Sequence, residues 1–166
     1  MQKITLYKAR WIAILFGALA LALAVFIFCM SAEPAEVSKN RSAEIAGVLS
    51  PDASEDAKPL SKAEQVRRLS RADHILRKTA HFCIYALLGV LLCLTSLGFA
   101  ARWYLHLLRT WLIGTVYAAS DEIHQAFVPG RGPMLTDVLL DSAGVLAGVL
   151  FTLLFAHIIM KKKNRC

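Results

Sequence analysis

The chain has 166 residues, of which 57 % are hydrophobic, with a mean hydropathy of +0.52 and a formal net charge of +7. That apolar share exceeds the ~45–50 % usual for a soluble domain and excludes an ordinary water-soluble globule. The basic residues flank apolar runs, so the positive balance reads as a membrane-topology signal, and no nucleic-acid partner is expected.

In chain order, the first element is a run over 11–30 without a single charge, preceded by Lys3, Lys8 and Arg10. About 20 apolar residues cross a bilayer core. The run is long for a secretory signal, and Met30-Ser31-Ala32 is not a small-x-small cleavage site, so it reads as an uncleaved helix. The stretch 31–60 is rich in Ser, Ala, Glu, Asp and Pro and has little to bury; a flexible external loop is expected. Ser61-Lys62-Ala63-Glu64 then matches a capping box. Val66, Leu69, Ala72 and Leu76 recur at helical spacing, with Arg67, Arg68, Arg71 and Arg77 mostly off that line. The pattern predicts an amphipathic helix over 61–78 at the outer interface.

Further spans follow at about 80–100, 106–127 and 137–160, the third with a polar outer end. The expected fold is all-α: a bundle of four transmembrane helices over 10–160, with a long first extracellular loop that contains the amphipathic helix. Basic residues without acids lie at the N-terminus, around Arg102 and Arg109, and at Lys161, Lys162, Lys163 and Arg165. These regions should be cytoplasmic, and four spans make that consistent. Gly144 and Gly148 form a Gly-x-x-x-Gly pair suited to close helix packing. The four cysteines show no metal spacing, and no cofactor is expected.

The polar residues inside the apolar runs are the informative ones. An ionisable group near the centre of a spanning helix costs roughly 2.5–3.5 kcal/mol on insertion scales. Lys78, His81 and Tyr85 are three and four apart and share one helix face. Asp121 and Glu122 lie four and three before Gln125, and Asp137 lies four before Asp141. With alternating spans, all three stripes fall in the outer leaflet. The turn Pro129-Gly130-Arg131-Gly132-Pro133 should hold Arg131 near Asp121, Glu122 and Asp137, with Lys78, Arg77 and Arg131 balancing the four acids. Singly, these residues are ordinary: a packing histidine, an interfacial tyrosine, a helix cap. Together they exceed what three helices need for packing.

Three segments in this order, Arg77-Lys78-x-x-His81-Phe82-x-x-Tyr85-x-x-Leu88-Gly89, Ser120-Asp121-Glu122-x-x-Gln125-x-Phe127-x-Pro129-Gly130-Arg131 and Asp137-x-x-x-Asp141-x-x-Gly144, resemble the VanZ-like membrane proteins over most of 10–160. The resemblance implies a bacterial plasma-membrane protein and an effect on susceptibility to glycopeptides such as teicoplanin. It implies no settled reaction.

Three function classes follow. The first is a cell-envelope protein that binds or modifies a membrane lipid or lipid-anchored envelope ligand at the outer leaflet. The second is an enzyme with Asp121 or Glu122 as general base and His81 as acid. The third is a small transporter, which polar groups confined to one leaflet disfavour. The site residues expected are Lys78, His81, Tyr85, Asp121, Glu122, Gln125, Arg131, Asp137 and Asp141. The oligomeric state is not readable from the sequence.

Overall fold

The computed structural model describes residues 2–34 and 62–163. Among these residues the chain forms four helices and no strand: α1 (Gln2–Ser31), α2 (Lys62–Leu97), α3 (Trp103–Gln125) and α4 (Leu135–Lys163). The expected flexible loop over 31–60 falls almost wholly outside the described residues. The stretch expected as an amphipathic helix and the span that follows it are one continuous helix, α2. No proline interrupts its 36 residues. At 1.5 Å per residue α2 is about 54 Å long, well beyond the ~30 Å of a bilayer core.

Among the described residues, three helices contain stretches long and apolar enough to cross a membrane: Arg10–Ser31, Ser70–Leu97 and Leu135–Lys162, with mean hydropathies of 2.9, 2.0 and 2.3. α3 falls short of that composition. Its buried side is polar or small, with His106, Thr110, Gly114, Ala118, Asp121, Glu122 and Gln125. Its exposed side carries Leu108, Leu112, Ile113, Val116 and Ile123. The helix is thus apolar outward and polar inward. The rest of the molecule shares the pattern: Trp11, Leu21, Phe26, Phe151 and Phe155 are all exposed, whereas Asp121, Asp141, Ser142 and Thr152 are buried. A lipid solvent favours this kind of arrangement, because apolar groups gain nothing by leaving it and polar groups do.

α2 and α4 make the most extensive contact in the bundle. Glycines set their distance. A Cβ at Gly144 would lie 2.6 Å from the Phe82 carbonyl oxygen, and Cβ atoms at Gly148 and Gly89 would run into the carbonyls of Ala86 and Val145. Gly in a helix interior costs about 0.5–1 kcal/mol relative to Ala. Here it lets two backbones approach where no side chain fits, as the Gly-x-x-x-Gly spacing predicted. Tyr85, Leu88, Cys93, Val145 and Val149 fill the adjoining core.

The pairings fix the directions. Lys78 meets Asp137 and His81 meets Asp141, so α2 and α4 run parallel. Ser96 meets His106 and Tyr85 meets Asp121, so α2 and α3 run antiparallel. The Tyr117 hydroxyl donates to the Ala24 carbonyl and Ser31 meets Asp121, which places α1 parallel to α3. The end of α1, the middle of α2, the end of α3 and the start of α4 therefore converge at one end of the bundle.

Candidate functional site

The convergence builds two layers. The deeper one centres on Asp121, 1 % exposed. Its Oδ2 accepts from Ser31 Oγ at 2.8 Å, from Gln125 Nε2 at 3.1 Å and from the Tyr85 hydroxyl at 3.2 Å. Gln125 Nε2 also donates to Ser31 Oγ at 3.3 Å. One carboxylate oxygen thus ties α1, α2 and α3 together. Gln125 sits one helical turn beyond Asp121, which is why its amide reaches both the carboxylate and the loop.

Arg131 Nη1 donates to Gln125 Oε1 at 3.3 Å. The guanidinium therefore meets the α3 acids through an amide; among the described residues no ion pair joins it to Asp121 or Glu122. The sequence brought Arg131 to the right place, but Gln125 takes the direct contact. The loop geometry explains the placement. Arg131 N donates to the Val128 carbonyl at 3.1 Å, with Pro129 and Gly130 between them and Gly130 at φ 76°. Proline at the second position and a left-handed glycine at the third are what a type II turn requires. Burial pulls the Arg131 guanidinium below its ordinary value, and the charge of Arg77 acts in the same direction, while Asp121, Glu33 and Glu122 oppose it.

Glu122 has a separate role. It is 4 % exposed, and its Oε2 accepts from the Met134 backbone N–H at 3.0 Å. The Met134 carbonyl in turn accepts from Asp137 N and Val138 N, so Met134 caps α4. Glu122 places a carboxyl oxygen at the positive end of that helix and fastens the loop to α3.

The outer layer is an open cleft of about 200 Å³. α2 lines it with His74, Arg77, Lys78 and His81, α3 with Gln125, the loop with Gly130, Arg131, Gly132 and Met134, and α4 with Asp137, Leu140 and Asp141. Lys78 Nζ lies 3.1 Å from Asp137 Oδ1, both side chains about one-third exposed. Such a pair contributes about 0–1 kcal/mol. One turn deeper, His81 Nδ1 lies 3.7 Å from Asp141 Oδ2. Two rungs, each with a base from α2 and an acid from α4, thus form the cleft wall.

All nine residues expected from the sequence gather at this end of the bundle, but they divide. Lys78, His81, Gln125, Arg131, Asp137 and Asp141 line the cleft; Asp121, Glu122 and Tyr85 lie behind it as connections between helices. Asp121 is not part of the cleft wall, and its Oδ2 is held by three donors, from α1, α2 and α3. The sequence reading missed Ser31 and His74. A lone serine closing an apolar run gives no local signal. His74 lies seven before His81, on the same face as Lys78, and helical spacing could have found it. His124, also missed, stacks on Phe28 with ring centroids 4.0 Å apart and packs α3 against α1. Among the described residues no group of three or more His, Cys, Asp or Glu could hold a metal ion.

No curated protein and no solved structure matches the chain. A family model described as VanZ/LLP1 matches residues 16–156, a stretch that includes all of α3 and every residue of the cleft. The chain belongs to the VanZ-like family.

Proposed function

We propose that this protein is a four-span bacterial plasma-membrane protein, with both termini cytoplasmic, whose cleft faces outward and binds the anionic headgroup of a membrane lipid or a lipid-anchored envelope ligand. The observation that carries the binding reading is the cleft wall, where the basic side chains of Arg77, Lys78 and Arg131 meet from α2 and the loop. Burial and the neighbouring charge of Arg77 both disfavour the charged form of Arg131, so an anion beside its guanidinium relieves that cost. Guanidinium groups bind phosphate with two parallel hydrogen bonds. The fourth span is supported by α3 itself, whose apolar face is outermost. Its average hydropathy is low because its polar residues serve the interior. The length of α2 supports an interfacial position for its first turns, since about half of the helix exceeds the bilayer core.

On the family resemblance, binding at this site lowers susceptibility to a lipid-tailed glycopeptide such as teicoplanin more than to a tail-less one, because the tail brings the drug to the same bilayer surface. The test joins the two claims. The full chain and Arg131→Ala are expressed at equal membrane abundance in a sensitive Gram-positive host, and inhibitory concentrations are measured for both drug types. In parallel, dioctanoyl phosphatidic acid and phosphatidylcholine are titrated onto the purified proteins. Loss of a charge-assisted hydrogen bond, at about 1.5–3 kcal/mol, should weaken the anionic lipid at least about tenfold and leave the zwitterionic one unchanged. Equal affinity of wild type and variant for phosphatidic acid would refute the cleft as the binding site.

A further inference from the structure

Asp141 is fully buried, and neither of its carboxylate oxygens has a hydrogen-bond partner among the described residues. Buried polar groups are normally satisfied, so a carboxylate with both oxygens unsatisfied calls for an explanation, and a catalytic role is one. Asp141 lines the cleft, and so does His81, whose Nδ1 lies 3.7 Å from Asp141 Oδ2. The burial of the two side chains is opposite in kind: 1 % exposed for Asp141 and 29 % for His81. The carboxylate is behind, and the imidazole is in front. With Nδ1 toward Asp141, Nε2 occupies the other side of the ring and is left for a group in the cleft. A shift of about 0.7 Å would bring the pair to hydrogen-bond distance, and catalytic contacts commonly tighten when substrate binds.

We propose that His81 and Asp141 form an acid–base dyad that hydrolyses a phosphomonoester at the head of an anionic lipid held in this cleft. The inference rests on the binding reading above and deepens it. The buried carboxylate holds the imidazole in one tautomer and stabilises the imidazolium that forms during turnover. Lys78 and Arg131 supply fixed positive charge for the phosphoryl oxygens. In the step itself, a water oxygen attacks phosphorus and gives a proton to His81 Nε2. The bond from phosphorus to the lipid oxygen breaks, and its electron pair stays on that oxygen, which takes a proton from water at the open mouth. His81 then returns its proton to solvent. The products are inorganic phosphate and the lipid alcohol. His81 is the catalytic residue and Asp141 the positioning one.

The test uses the purified full chain in detergent micelles, with dioctanoyl phosphatidic acid as the lipid probe, glycerol 3-phosphate as the free one, and released phosphate as the readout. Wild type should act on the lipid probe. His81→Asn should lose about 100-fold or more in kcat, the usual range for acid–base catalysis. Asp141→Asn should lose a similar factor in kcat without any weakening of lipid affinity, a split that a merely structural defect would not produce. Melting temperatures show whether each variant is folded, and if Asp141→Asn is not, His81→Asn still decides the question. Undiminished release by His81→Asn overturns the dyad. Equal kcat/KM on glycerol 3-phosphate overturns the lipid assignment. If wild type binds phosphatidic acid without releasing phosphate, the dyad fails and the binding reading stands; if it does not bind the lipid, both fail.

Discussion

Removing the Asp121 carboxylate should cost this bundle more than any other single polar truncation. Asp121→Ala leaves three buried donors, Ser31 Oγ, Gln125 Nε2 and the Tyr85 hydroxyl, without the acceptor they share. Interhelical hydrogen bonds in membrane proteins average about 0.6 kcal/mol and reach about 1.7. Two of the three bonds, from Ser31 on α1 and Tyr85 on α2, cross between helices and set a range of about 1–3.5 kcal/mol, and the buried position of Asp121 favours the upper part. The assay is reversible unfolding in mixed micelles for wild type, Asp121→Ala, Tyr85→Phe and the double variant. Tyr85→Phe alone removes one donor and should cost about 1 kcal/mol. In the Asp121→Ala background it should cost almost nothing, because its acceptor is already gone. Two costs that add to within ~0.3–0.5 kcal/mol would show the groups to be uncoupled and refute the network.

Two further predictions concern the framework. Gly148→Ala puts a methyl group into the Ala86 carbonyl and should destabilise by ~1–3 kcal/mol through overpacking, whereas Gly132→Ala, with nothing within 4 Å of the new Cβ, should stay within ~0.5 kcal/mol of wild type; thermal unfolding of both variants measures the contrast. For topology, Gly132→Cys in a background lacking the native cysteines should react with a membrane-impermeant thiol reagent in intact cells. Protection until the cells are lysed would place the cleft on the cytoplasmic side.

Much of this architecture follows from local rules and was legible in the sequence. Hydropathy and length mark the apolar runs because lipid selects for them over some 20 residues at a time. Helical periodicity puts Lys78, His81 and Tyr85 on one face, and Asp137 and Asp141 on another, because 3.6 residues per turn is a property of the backbone. The Pro129–Gly130 pair specifies its turn through φ alone, and Gly144 and Gly148 announce a close helix contact through their missing side chains. Helix ends were less legible: α2 stops at Leu97, and α3 and α4 begin at Trp103 and Leu135, each slightly away from the expected bounds.

What the tertiary structure decided is which face meets which, and at what depth. Those quantities depend on helix rotation and axial register, and the glycine contacts between α2 and α4 set both. That register pairs Lys78 with Asp137 and His81 with Asp141. It also separates two adjacent acids that look equivalent in the sequence: Asp121 turns toward α1 and α2 as a three-way acceptor, and Glu122 turns toward the start of α4 as a cap. Neighbours on a helix lie about 100° apart, so a single step along the chain sends two like side chains to different partners. Ser31 joins the site from ninety residues away in sequence. No periodicity links it to Asp121, and only the packing of α1 against α3 brings them together.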